Sequence, residues 1–118
     1  MFTRSCLTLS LFLAVIAGAG QAETLATTDQ INAAIAGNTV QGSMSASGAY
    51  TEFYAKDGTI KGDGYTGKWM AEGEGMCFFY GENWDCWDVR LDGTSVTWVQ
   101  DGKDGGTGTI VAANPNNF

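Results

Sequence analysis

From Thr39 onward, apolar and polar residues alternate over short runs that glycine interrupts, which is the pattern of β-strands with one face in a core and the other in water. Asp-Gly pairs and Gly-X pairs between the runs supply tight turns. A type I′ turn at Asp92-Gly93 opposes Leu91 to Thr94, Val89 to Val96 and Trp87 to Trp98. A type II′ turn at Gly81-Glu82 opposes Tyr80 to Asn83, Phe79 to Trp84, Phe78 to Asp85 and Cys77 to Cys86. A two-residue turn at Gly73-Glu74 opposes Ala71 to Met76 and Trp69 to Phe78. These three turns agree on one inward face: Trp69, Ala71, Met76, Phe78, Tyr80, Trp87, Val89, Leu91, Val96 and Trp98.

Upstream, Asp57-Gly58 joins residues 50–56 to 59–61, sending Phe53, Ala55 and Ile60 one way and Glu52, Tyr54 and Lys61 the other. Further strands over 39–44, 67–72 and 107–111 bring the total to about eight. The chain is therefore expected to be all-β, a small antiparallel meander whose edges vanish on closure into a barrel. A highly curved, partly open sheet with a helix across its mouth is the alternative. One stretch, Thr24 to Ala36, has helical character. Thr27 and Gln30 have capping-box spacing, Ile31, Ala34 and Ile35 share a face, and Gly37-Asn38 supplies a stop. Two turns of helix are marginal unless docked, so residues 23–38 are expected to cap or precede a β domain spanning 39–118.

Residues 1–22 carry Arg4, an apolar stretch from Leu11 to Ala17 and the small-residue exit Gly20-Gln21-Ala22. They read as a secretory signal peptide, placing the protein in the periplasm or outside the cell. The apolar stretch is shorter than the ~20 residues of a membrane span. In such a compartment Cys77 and Cys86 are expected to form a disulfide, whose ten-residue loop favours the lower half of a range of about 2 to 4 kcal/mol.

Composition narrows the function. The 17 glycines lack a collagen period, and four Trp, four Tyr and six Phe furnish too much core for disorder. Thirteen acidic residues against six basic ones give a net charge of −7, unsuited to a nucleic-acid backbone or an anionic membrane. The absence of histidine removes the usual catalytic triad and the imidazole ligand that zinc and copper sites favour, so no metal is expected. No P-loop, dinucleotide fingerprint or Cys-x-x-Cys occurs, and no cofactor is expected.

Three sets of residues remain as candidates. Phe79 and Trp84 form an opposed pair beside the cysteines, on the face that also carries Asp88. This is either a rigid aromatic platform for a protein, peptide or glycan, or a cover for the disulfide or the N-terminal segment. Glu72, Glu74, Glu82, Asp85 and Asp88 cluster around two hairpins, where two carboxylates could serve a glycosidase, although glycine-flanked acids at turns are usually solvated. The runs 57–63 and 101–106 hold oxygen ligands of the kind calcium uses, but match no EF-hand or β-roll pattern and read as ordinary turns.

The combination Tyr50-Thr-Glu52-Phe53-Tyr54, Asp57-Gly-Thr-Ile60, Gly67-Lys-Trp69, Met76-Cys77-Phe78 and Cys86-Trp-Asp-Val89 resembles small exported β proteins of alphaproteobacteria that have no assigned activity. That resemblance implies a periplasmic β protein with one disulfide and carries over no catalytic residue. The resulting expectation is a non-enzymatic binding or protein-interaction module, such as an inhibitor or accessory protein, with a neutral or basic partner. The alternatives are a small-molecule binder using the barrel interior, which the many large rings threaten to fill, and a weak carboxylate-dependent carbohydrate-active enzyme.

Overall fold

The computed structural model describes residues 24–118, and the anticipated leader over residues 1–22, with Cys6, lies outside the described residues. The chain forms helix α1 (Thr28–Ile35) followed by strands β1 (Asn38–Met44), β2 (Gly48–Tyr54), β3 (Thr59–Gly62), β4 (Tyr65–Glu72), β5 (Gly75–Phe79), β6 (Trp84–Asp92), β7 (Ser95–Gln100) and β8 (Lys103–Val111). Each strand pairs antiparallel with the next, and β8 returns to β1, so the eight strands form a closed barrel with no open edge.

Helix α1 starts where its cap residues direct. The Gln30 backbone N–H donates to Thr27 Oγ1 at 3.2 Å and the Thr27 N–H donates to Gln30 Oε1 at 2.9 Å, completing the capping box. Ile31 and Ile35 are wholly buried on its inner face and join Val40, Ile60, Trp69, Met76 and Val89 in the core. Thr28 Oγ1 donates to the Gly73 carbonyl in the β4–β5 turn, and the Ala26 N–H donates to the Val89 carbonyl. The helix therefore closes the end of the barrel where the β2–β3, β4–β5 and β6–β7 turns lie. The other four hairpin turns surround the opposite end.

The Cys77/Cys86 and Trp69/Phe78 registers are those the turns predict, and Cys77 and Cys86 are bonded. At β6–β7 the loop is Gly93-Thr94 instead of Asp92-Gly93, opposing Val89 to Trp98 and Leu91 to Val96. That shift of two positions preserves the inward face. At β2–β3 the error is one position and matters more. Tyr54 opposes Ile60 across a three-residue loop, Lys56-Asp57-Gly58, so Glu52, Tyr54 and Ile60 all point inward and Phe53 points outward. A single-residue slip moves every side chain of a strand to the other face. Asp104-Gly105 is not a turn but lies within β8, where a bulge opposite Trp98 and Val99 absorbs Gly105. Tyr80, placed in the core by alternation, is 52% exposed because the barrel opens at its level.

The inner face is mainly apolar, with Glu52 and Asp85 as its acidic members, and the outer face carries residues such as Gln41, Lys61, Lys68 and Thr97, unlike the apolar outer band of a lipid-facing barrel. Among the described residues no helix is long and apolar enough to cross a membrane.

Candidate functional site

The open half of the barrel encloses a cavity of about 400 Å³, open to solvent between the turns. Its walls are Met44, Ser47, Ala49, Tyr50, Glu52, Tyr54, Tyr65, Phe78, Tyr80, Asp85, Trp87 and Trp98. The rings leave room for a ligand because glycine replaces side chains around them. A Cβ at Gly106 would meet the Met44 side chain, one at Gly108 would meet Tyr50 and Val40, and one at Gly62 would meet the Tyr65 ring. Large rings therefore lie against bare backbone, and the barrel is not filled at this end, contrary to the sequence expectation of a crowded interior.

Glu52 is the polar centre of the site. It is only 6% exposed, and its carboxylate accepts hydrogen bonds from three phenols. Tyr54 Oη donates to Oε1 at 2.7 Å, Tyr65 Oη donates to Oε2 at 2.7 Å, and Tyr80 Oη lies 3.0 Å from both oxygens. The donors come from β2, β4 and the residue just after β5, so the cluster forms once the consecutive strands β2 to β5 have paired. Burial is the main cause that pushes the Tyr54, Tyr65 and Tyr80 hydroxyls well above their ordinary pKa, with the Glu52 charge acting in the same direction. All three remain protonated donors. Nearer the β1–β2 turn, the Trp98 indole N–H donates to Tyr50 Oη at 2.7 Å and that hydroxyl donates to the Thr107 carbonyl at 3.0 Å. Burial raises the Tyr50 pKa, the Trp98 N–H partly offsets this, and the Glu52 charge adds to the rise.

Asp85 stands at the mouth. Its carboxylate accepts from the Trp87 indole at 2.9 Å and from Gln100 Nε2 at 3.0 Å. Of the five acids expected to cluster, only Asp85 reaches the cavity; Glu72, Glu74, Glu82 and Asp88 lie outside it. Asp57 Oδ1 accepts from the Thr59 N–H at 3.0 Å, which holds its carboxyl below the ordinary range, and Asp104 pairs with Arg90 at 2.7 Å. Both are turn and surface contacts. Among the described residues no group of three His, Cys, Asp or Glu side chains is arranged to hold a metal ion.

The predicted platform lies on the outside of the barrel. Phe79 and Trp84 are opposed residues with ring centroids 5.4 Å apart and planes tilted by 37°, and Trp84 is 44% exposed. Asp88 is exposed further along β6, opposite Gly75. The residues that sequence reasoning missed are Glu52, Tyr50, Tyr54 and Tyr65. The signal was present, since Tyr50, Glu52 and Tyr54 alternate with period two and so share a face.

Comparison of the chain with family models, with curated proteins and with solved structures finds no match.

Proposed function

We propose that this protein is an exported, non-enzymatic binding module that takes a small molecule into the open end of its barrel. The observation that carries this reading is the cavity of about 400 Å³ with aromatic walls and a few fixed polar groups. Its size falls within the roughly 300–1,000 Å³ typical of small-molecule sites, and eight strands are enough to enclose one small ligand. The disulfide supports export, since such bonds persist in oxidising compartments. A non-catalytic role is favoured by the engagement of both cavity carboxylates, Glu52 with three phenols and Asp85 with Trp87 and Gln100.

Fragment screening by two-dimensional NMR tests the reading. Aromatic fragments are expected to shift the Trp87 and Trp98 indole signals and the Tyr50 amide, and Met44→Trp, which fills the mouth, should abolish those shifts. No shift at millimolar fragment concentration would refute it.

A second reading rests on a different surface. The exposed Trp84 beside Phe79, on a hairpin clamped by Cys77–Cys86, suits a protein, peptide or glycan partner. Partner-induced shifts confined to Phe79 and Trp84, lost in the Phe79→Ala, Trp84→Ala variant, would favour it over the cavity.

A further inference from the structure

We infer that the cavity recognises an organic cation, an ammonium group carried on an apolar or aromatic body. This rests on the proposal that the cavity is the binding site and adds the chemistry of its ligand. Two observations combine. The first is charge: two of the twelve lining residues are carboxylates, Glu52 in the wall and Asp85 at the mouth, and none is Lys or Arg. Glu52 is taken out of water among hydroxyl donors, which solvate its charge without neutralising it. An ammonium beside it would gain a Coulomb attraction that water screens less than it does at the protein surface.

The hydrogen-bond geometry leaves room for that ligand. An ionised carboxyl offers about four acceptor directions. Tyr54 takes one and Tyr65 another, while Tyr80, equidistant at 3.0 Å from both oxygens, is divided between two. A ligand N–H can take one of these and leave the other to Tyr80, which stands at the exposed rim.

The second observation is the wall itself, in which seven of the twelve lining residues are aromatic. Ring faces attract cations, and aromatic cages are a recurring solution for ammonium recognition. A ligand carboxylate would meet two like charges, and the phenolic hydrogens that could have received it are already directed at Glu52. The chain's net charge of −7 draws cations towards the mouth by the same sign.

Three probes of similar size and different charge decide the matter: phenethylamine, 2-phenylethanol and 3-phenylpropionate, each titrated into the purified protein with NMR and calorimetric readout. Phenethylamine is expected to bind about tenfold or more tightly than the alcohol, with the propionate weakest. Glu52→Gln should bring the amine and the alcohol to near equality, and Asp85→Asn should weaken the amine about two- to threefold. If Glu52→Gln does not fold, added salt on the unaltered protein serves instead, weakening the amine but not the alcohol. Cavity shifts with the alcohol or propionate bound as tightly as the amine would overturn the cation inference and leave the small-molecule reading standing. No cavity shift from any probe would overturn both.

Discussion

Gly108 on β8 lies directly beneath the Tyr50 hydroxyl, so that a Cβ at position 108 would collide with it and come within 2.6 Å of a Val40 methyl. The backbone of Gly108 is not in the left-handed region, so the glycine is required by space alone. Gly108→Ala should therefore displace Tyr50, break the Trp98-to-Tyr50 hydrogen bond and cost about 1 to 3 kcal/mol, the usual range for overpacking. Urea denaturation measures the cost, and the Trp98 indole proton resonance reports the lost hydrogen bond.

All four tyrosines of the chain line the cavity, and all four have hydroxyl pKa values raised above the ordinary 10.0. A phenol whose folded pKa lies above its unfolded value contributes stability that is fully present below the unfolded value and is lost as pH rises towards the folded one. The folded protein should accordingly show almost no tyrosinate absorbance at pH 10, where an unfolded chain would be half ionised. Stability should be insensitive to these groups below about pH 9 and decline above about pH 10. Ultraviolet titration at 295 nm, alongside circular dichroism, checks both points, and ordinary titration of all four in a folded protein would contradict the Glu52 cluster.

How much of this was legible depends on which signals are local. Thr27 and Gln30 define their own cap, and Cys77 and Cys86 fall opposite each other from the turn near Gly81. Both follow from residues close in sequence. The site did not, because Asp57-Gly58 suits either a two-residue or a three-residue loop, and Gly58 at φ +94° serves the longer one. Only the need to bury Ile60 beside Tyr54 decides between them, and that need arises from strands distant in the chain. Glycines 42, 106 and 108 were similarly opaque. Gly106 reads as part of a turn run but lies within β8, while Gly42 and Gly108, read within strands 39–44 and 107–111, show nothing in the sequence of the ring, side chain or backbone that strand partners bring against all three.

Removing the disulfide should loosen the hairpin without opening the barrel. Cys77 and Cys86 are directly opposed with Cα atoms 4.0 Å apart, and the loop they close is short, so Cys77→Ala with Cys86→Ser is expected to cost roughly 2 to 3 kcal/mol. The backbone ladder around them remains, so the protein should stay folded at 25 °C with its oligomeric state unchanged. A lower urea midpoint with an unchanged slope is the expected result.

Thr27→Ala tests the closed end of the barrel independently of the cavity. The substitution removes the acceptor for the Gln30 N–H and ends the reciprocal cap, at a cost of about 1 kcal/mol. In a domain of this size that lowers the melting temperature by roughly 4 to 8 °C. Ile31 and Ile35 cover the core from α1, so the loss should extend beyond the helix and speed amide exchange in the β strands beneath it. Neither Thr27 nor any residue of α1 lines the cavity, so fragment affinity at the open end should be unchanged. A parallel fall in affinity would show that the plug and the mouth are coupled through the barrel wall.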